Sequence, residues 1–284
     1  MKQRSIIEEL KFQLQHGKMT VRLIIINVSI FVLIYLLGFI ERIIGTSNLT
    51  LSVFTFPTDF GEFIFKPWTL ITSIIAHVSL GHLFFNMLFL FFAGAMFEQI
   101  FGAKKLLVTY LVGGVIGNIF ELIATFLIAD FSPPHYVLGA SGAIMAVFTA
   151  IAVYRPQTPI YLFGIVAIPI YVLALFFLAK DLIGIGASDE VAHFAHLGGA
   201  FFGFLAVQNI HSNSNVLNRM NGLFSKRSTP KPRKNSRFKT DEVFNAEKKA
   251  TQERIDAILD KISKSGYESL SREEKDYLFN QGKS

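Results

Sequence analysis

Six apolar stretches separated by short polar segments dominate the first 210 residues of the chain. They cover residues 21–40, 77–97, 106–129, 141–154, 159–179 and 191–210. A helix needs about 20 apolar residues to cross the hydrocarbon core of a bilayer, and every stretch except the fourth is near that length. The pattern predicts an all-α fold, a polytopic membrane bundle of six transmembrane helices followed by a short soluble helical tail.

The fourth stretch is shorter than the others and begins at Ser141. A short helix leaves its first residue below the membrane surface. Non-helical backbone at that depth is tolerated only where protein or a water-filled cavity surrounds it. The length of this stretch therefore predicts that Ser141 lies at the floor of a depression.

Composition separates a membrane part from a polar tail. The 284 residues are 51% hydrophobic and 17% charged, but charged residues are scarce in 21–210 and dense in 211–284. The predicted divisions are a cytoplasmic segment 1–20, a membrane domain 21–210, a basic disordered linker 211–240 and a helical module 241–284. The module is a candidate for partner binding or self-association.

The module itself predicts two helices. An apolar stripe at helical spacing favours a helix over 241–264, and Gly266 suits its end. Ser271 and Glu274 form a capping box for a second helix.

Basic residues set the predicted orientation. Lys and Arg concentrate before the first stretch, between the second and third, between the fourth and fifth, and after the sixth. The positive-inside rule then puts both termini in the cytoplasm of a multi-pass protein of the cell membrane. The net charge of +6 is assigned to these flanks, facing the lipid bilayer, and not to nucleic-acid binding. The absence of cysteine excludes disulfides, thiolate metal sites and a cysteine nucleophile.

Three polar islands interrupt the second, fourth and sixth stretches. They read His77-Val-Ser-Leu-Gly-His82-Leu-Phe-Phe-Asn86, Gly139-Ala-Ser141-Gly142 and Ala195-His196-Leu-Gly-Gly199-Ala-Phe-Phe-Gly203. Polar side chains are costly in lipid and rare there unless they serve a site. The predicted orientation puts all three islands at a similar depth. We therefore expect one site that opens toward the extracytoplasmic side.

Small residues recur at every fourth position in two of these stretches. The fourth stretch has Gly142 and Ala146, and the sixth has Gly199 and Gly203. This spacing lets helix backbones approach closely in lipid, although it also occurs in ordinary bundle packing. It favours direct contact between the helix that carries the serine and the helix that carries the histidine.

The residue types in the islands suit nucleophilic catalysis. The Ser141 hydroxyl is a weak nucleophile that needs a neighbouring base, for which His196 is the best candidate. His82 and Asn86 are four residues apart and share a helix face, so both can donate to one developing oxyanion. The backbone N–H of Ser141, at a helix start, is a third donor.

An acidic partner for His196 is not evident in the sequence. Glu121 is predicted to lie too deep in the third stretch, and Asp130 at its outer end is disfavoured. We therefore predict a two-residue dyad. His193, one turn above His196, is an alternative base but lacks the glycine spacing that follows His196.

Taken together, the motifs resemble those of the rhomboid intramembrane serine proteases. The family patterns are His-x-x-x-x-His-x-x-x-Asn, Gly-x-Ser-Gly and Ala-His-x-x-Gly-x-x-x-Gly, and the resemblance covers about residues 21–210. It implies Ser141 as nucleophile, His196 as base, and an oxyanion hole of His82, Asn86 and the Ser141 amide. The structural glycines near the site are Gly139, Gly142, Gly199 and Gly203. The implied reaction is hydrolysis of peptide bonds in or next to transmembrane segments of membrane proteins, without metal or cofactor.

Two positions depart from patterns seen in members of this family. Trp68 is followed by Thr69 where many members have arginine, and Met145 stands where some have an aromatic residue. Neither change removes a residue of the predicted dyad.

Two other functions are compatible with a polar layer in a membrane bundle. One is a catalytically inactive rhomboid-like protein that binds or escorts membrane proteins. Inactive relatives usually lack the serine or the histidine, which this chain retains. The other is a small-solute or ion transporter, for which inverted repeats are expected and none is visible.

Overall fold

The computed structural model describes residues 5–46, 48–128, 135–162, 164–187, 191–224 and 241–281. The chain divides into two compact units, Met1–Lys226 and Arg227–Ser284. Asp130, weighed above as a carboxylate partner, lies outside the described residues, as do Ala129 and the linker positions 225–240.

The first unit is mainly helical. Its helices are α1 (Ile6–His16), α2 (Met19–Ile44), α3 (Leu49–Phe54), α4 (Phe60–Phe63), α5 (Thr69–Thr72), α6 (Leu80–Phe89), α7 (Ala95–Phe101), α8 (Ala103–Leu127), α9 (Ser141–Tyr154), α10 (Ile170–Gly184), α11 (His193–Val207) and α12 (Val216–Phe224). A 3₁₀ turn covers Ser73–Ile75, and a π-helical turn, Leu90–Gly94, joins α6 to α7.

Three helical segments among the described residues are long and apolar enough to cross a membrane. They are Met19–Ile44, Leu80–Phe101 and Ala103–Leu127, judged by length and composition. Two shorter helices, α9 and α11, are also apolar. Membrane-spanning helices are therefore present as predicted, while the number of six crossings stays a prediction.

Two short β-ribbons correct the all-α prediction. Strand β3 (Pro159–Leu162) pairs antiparallel with β4 (Val166–Pro169), in the first half of the predicted fifth span. Proline interrupts helices and β-branched residues favour strands, so Pro159 and Pro169 frame a hairpin where apolar content alone suggested a helix. The fifth helix is accordingly α10, which begins at Ile170.

The second ribbon brings the long first loop close to the segment that precedes Ser141. Strand β1 (Phe56–Pro57) pairs antiparallel with β2 (Tyr136–Val137). The fully buried Phe56 packs in a small cluster with Leu122 of α8 and Val137. The ribbon therefore fixes the chain two residues before the glycine-serine island.

Close backbone contacts join α8, α9 and α11 into the centre of the unit. A Cβ atom on Gly199 would overlap the carbonyl oxygen of Gly142, and one on Gly203 would overlap that of Ala146. A Cβ atom on Gly117 of α8 would lie 2.5 Å from the Ala195 carbonyl oxygen. The predicted contact between the serine-bearing and histidine-bearing helices is therefore confirmed.

A buried polar network ties α8 to the chain around the site. The Asn118 side chain donates to the Ser73 hydroxyl at 2.9 Å, and the Ser73 carbonyl accepts the Gly139 N–H at 2.9 Å. The Tyr110 hydroxyl donates to the Ile74 carbonyl at 3.2 Å. Because an unpaired buried polar group is costly, these bonds hold the glycine-serine island at a defined place.

The described part of the predicted disordered linker is ordered. Residues 216–224 form α12, and Leu217 within it is fully buried. The Asn215 side chain donates to the Ala206 and Gln208 carbonyls and accepts the Leu217 N–H at 2.9 Å. Composition favoured disorder here, but this asparagine turn and the buried leucine anchor the segment to the end of α11.

The second unit contains helices α13 (Asp241–Ser265) and α14 (Arg272–Gln281), with a 3₁₀ turn between them. Gly266 ends α13 with a φ of 78°, which glycine adopts readily. The predicted capping box is present, since Ser271 N donates to Glu274 at 2.7 Å and Glu274 N donates to the Ser271 hydroxyl. Lys261 of α13 also bonds Glu274, joining the two helices.

Candidate active site

Ser141 is the first residue of α9. The first N–H groups of a helix have no partner within it, so the Ser141 amide is available to an acceptor outside the helix. Gly139 precedes it with a φ of 125°, and a Cβ atom there would lie 2.6 Å from the His82 ring. Glycine is thus required at 139 by both its backbone conformation and the neighbouring histidine.

The second helix of the site, α6, begins at Leu80 after its cap residue Ser79, and not at His77. The Ser79 hydroxyl accepts the His82 N–H at 3.5 Å as the cap of α6. His77 therefore lies in the loop before the helix, fully buried. Its Nε2 is 3.2 Å from Nδ2 of Asn86 and 3.4 Å from the Ala140 N–H.

This contact orients one predicted oxyanion donor. An amide nitrogen can only donate, so the Asn86 Nδ2 group donates to His77 Nε2. The bond fixes the direction of the Asn86 amide. His77 supports the site by holding Asn86 and the backbone just before Ser141.

The predicted site residues line one cavity of about 980 Å³. Its wall includes the proposed dyad, both predicted oxyanion side chains and Met145, namely Ser141, His196, His82, Asn86 and Met145. Among the hydrogen bonds of the described residues, none joins Ser141 to His196. The structure therefore brings the two into a shared cavity without a direct hydrogen bond, and such bonds often form only when substrate is bound.

The structure contains a carboxylate that the sequence reasoning missed. Asp181 of α10 places Oδ1 2.9 Å from Nδ1 of His196 and 3.0 Å from Nδ1 of His193. The expectation that His196 lacks an acidic partner is therefore wrong. The available signal was an aspartate in a strongly apolar segment, where ionisable residues usually serve a site.

Glu121 also lies closer to the site than predicted. Its Oε2 accepts the Ala195 N–H at 2.8 Å, one residue before His196, and it lines the same cavity. Its Oε1 lies 3.6 Å from Nε2 of His135. The carboxylate of Glu121, on α8, therefore lies against the first turn of α11, where it accepts a backbone N–H and fixes the start of the histidine helix.

His193, the alternative base, lies against the same aspartate as His196. Its side chain is buried and its Nδ1 faces Asp181, while its ring centroid is 6.5 Å from that of His196. The Asp181, His193 and His196 ligand atoms all lie within 4.8 Å of one another. The three side chains form a hydrogen-bonded cluster, since one carboxylate oxygen contacts both imidazoles.

Fold and site together define a protein with several candidate membrane-spanning helices and with serine, histidine, asparagine and aspartate around one cavity. The Rhomboid domain family model matches residues 65–213, more than half of the chain. The chain belongs to the rhomboid family. A family of unknown function (DUF6576) matches residues 239–281, the helical module of the second unit.

Several named relatives align with the membrane part. The chain is 35% identical over 144 residues to "RHOMBOID-like protein 12, mitochondrial" of Arabidopsis thaliana, covering 46% of this chain and 43% of the relative. It is 29% identical over 198 residues to "Rhomboid protease GluP" of Bacillus subtilis, covering 68% and 35%. It is 29% identical over 148 residues to "Presenilin-associated rhomboid-like protein, mitochondrial" of Homo sapiens, covering 50% and 38%. The chain thus spans less than half the length of these relatives.

Proposed function

We propose that this chain is an intramembrane serine endopeptidase that hydrolyses peptide bonds in or next to transmembrane segments of membrane proteins. One observation carries the proposal. Ser141 at the start of α9 and His196 on α11 line a single cavity, and the two helices touch through Gly142 and Gly199.

The proposed reaction begins with the serine. Nε2 of His196 takes the proton from the Ser141 hydroxyl as the oxygen attacks the carbonyl carbon of the scissile peptide bond. The carbonyl π electrons move to oxygen, giving a tetrahedral oxyanion. The same histidine then donates that proton to the leaving amine nitrogen as the C–N bond breaks, leaving an ester on Ser141.

Water completes the cycle. His196 takes a proton from a water molecule, which attacks the ester carbonyl and forms a second tetrahedral oxyanion. Return of the proton to the Ser141 oxygen releases the new carboxyl terminus and restores the hydroxyl. The polar side chains of His82 and Asn86 in the cavity wall support this step, because water must reach a site that hydrocarbon would otherwise keep dry.

Both oxyanions require donors that exist before the charge develops. The His82 side chain, the Asn86 amide and the Ser141 backbone N–H are the proposed set. The bond from Asn86 to His77 supports this assignment, because a preoriented amide pays no reorganisation cost when charge appears.

Removal of the Asn86 amide tests the oxyanion assignment. In Asn86→Ala we expect kcat to fall by about 10²–10³-fold with little change in KM, since the lost donor acts on the transition state. The measurement is initial cleavage rate of a membrane substrate in liposomes. Asn245→Ala, on the exposed face of α13, is the matched control. Wild-type kcat in the Asn86 variant would remove this residue from the proposed set.

The protein is proposed to be an integral protein of the cell membrane. Both termini are then cytoplasmic, and the site opens toward the extracytoplasmic side. The named relatives include mitochondrial proteins, so the orientation is tested directly. The chain has no cysteine, so single cysteines report without background. In right-side-out vesicles, an impermeant maleimide should label Thr46→Cys and spare Lys104→Cys. The reverse pattern would invert the proposed topology.

Cleavage in a purified system tests the function itself. The full chain in liposomes should cut a fluorogenic transmembrane substrate, and Ser141→Ala should not. The alternative, an inactive protein that binds or escorts membrane clients, predicts substrate association without product for both proteins. Equal cleavage by wild type and Ser141→Ala would exclude the proposed mechanism.

A further inference from the structure

A single carboxylate oxygen contacts two histidines at the junction of α10 and α11. Oδ1 of Asp181 lies 2.9 Å from Nδ1 of His196 and 3.0 Å from Nδ1 of His193. The aspartate side chain is 3% exposed, and the histidines are 15% and 6% exposed. A carboxylate is costly in such surroundings unless hydrogen bonds compensate, so both contacts stabilise it.

The chemistry of these atoms fixes where the protons lie. An ionised carboxylate only accepts hydrogen bonds, so the Nδ1 atoms of both imidazoles must donate to it. A neutral histidine that carries its proton on Nδ1 has a lone pair on Nε2. This is the tautomer of His196 that can accept a proton from Ser141.

We propose that Asp181 is a positioning residue that holds His196 in the base-competent tautomer, with His193 anchoring the aspartate. The inference rests on the proposed serine endopeptidase function and extends the predicted dyad to a relay of three residues, Asp181 on α10, His196 on α11 and Ser141 on α9. Asp181 acts through His196, and it also stabilises the imidazolium that forms when Ser141 loses its proton.

His193 packs against the end of α10. A Cβ atom on Gly184 would overlap the His193 ring, so the end of α10 packs directly on this imidazole. His193 therefore limits the positions open to the Asp181 carboxylate. This arrangement explains why α10 must lie against the start of α11 for the site to function.

Replacement of the carboxylate tests the proposal. In Asp181→Asn we expect kcat to fall by about 10²–10⁴-fold, because an amide can donate to Nδ1 and stabilise the wrong tautomer. KM should stay within about twofold of wild type, since the aspartate side chain is almost fully buried. Asp181→Glu should recover part of the loss. Asp260→Asn, an exposed aspartate on α13, is the matched control and should match wild type.

His193 gives an independent arm. In His193→Gln the aspartate keeps its bond to His196 but loses its second anchor, so the loss in kcat should be smaller than in Asp181→Asn. Thermal unfolding of each purified variant separates this effect from misfolding. A folded Asp181→Asn protein with wild-type kcat would overturn the proposal.

Nitrogen-15 spectra give a readout that a purely structural role would not move. In ¹⁵N-histidine-labelled protein at neutral pH, His196 should show the Nδ1–H tautomer in wild type and lose it in Asp181→Ala. A His196→Gln spectrum assigns the signals. An unchanged tautomer in Asp181→Ala would contradict the inference.

The same assays separate this inference from the proposed function. If Ser141→Ala cleaves as fast as wild type, the endopeptidase mechanism itself fails. If Ser141→Ala is inactive while Asp181→Asn is fully active, only the role of Asp181 fails.

The ligand atoms of Asp181, His193 and His196 lie within 4.8 Å of one another, which is also compatible with binding a divalent cation. Activity lost on chelation and restored by zinc would therefore overturn the relay, whereas insensitivity to chelators supports it.

Discussion

Alanine at Ser141 is expected to reduce cleavage by about 10⁴-fold or more, and alanine at His196 by a similar factor. Serine supplies the atom that bonds to the substrate, and histidine supplies the base that makes that atom nucleophilic. Because both act in one step, the double variant should be no slower than either single variant. Initial rates on a transmembrane reporter in liposomes measure all three.

The rate of the double variant relative to the two single variants is the most informative comparison. Losses that multiplied in the double variant would mean that the two residues act independently, which contradicts a shared proton transfer. Ser52→Ala, in α3 of the first loop, is a matched serine control and should retain wild-type kcat.

A side chain at Gly199 is expected to cause the largest structural effect. A Cβ atom there would overlap the Gly142 carbonyl oxygen, and neither backbone can move without separating α9 from α11. We expect Gly199→Val to lower the free energy of unfolding by about 1–3 kcal/mol and to abolish activity, because Ser141 and His196 move apart. Denaturant unfolding in detergent and the liposome assay measure the two effects.

Gly38 in α2 is the control for this substitution. A Cβ atom there would meet nothing within 4 Å, so Gly38→Val tests the intrinsic cost of valine in a membrane helix. Similar stability and activity of the two variants would contradict the packing role of Gly199.

The sequence predicted which polar residues meet at the cavity because lipid makes polar residues informative. In a soluble core, a serine or asparagine is common, but within apolar stretches the three islands stood out and converge on one cavity. The bounds of α9 matched the fourth stretch, since the island marks its start. Small-residue spacing then identified the α9–α11 contact, which the overlap between Gly199 and Gly142 confirms.

The fifth stretch shows where such reasoning fails. Apolar content alone does not distinguish a buried strand from a helix, so the β3–β4 hairpin was read as the first half of a span. The predicted helix consequently ended at 179, which left Asp181 in a loop. The structure starts α10 at Ile170 and extends it to Gly184, which brings the aspartate to His196.

Glu121 was missed for a different reason. Its depth was judged from its position in the third stretch, whereas its contact with Ala195 depends on how far α11 extends toward it. Contacts between helices distant in sequence are set by packing, which hydrophobic periodicity does not encode. Such contacts can be identified only from the three-dimensional structure.

Covalent labelling tests the central claim most directly. The wild-type chain in liposomes should react with a fluorophosphonate probe, and peptide mass spectrometry should locate a single adduct on the Ser141 oxygen. His196→Ala should suppress the labelling rate, because the hydroxyl then lacks its base. An adduct at another residue, or no labelling of a folded protein that still cleaves substrate, would contradict the assignment of Ser141 as nucleophile.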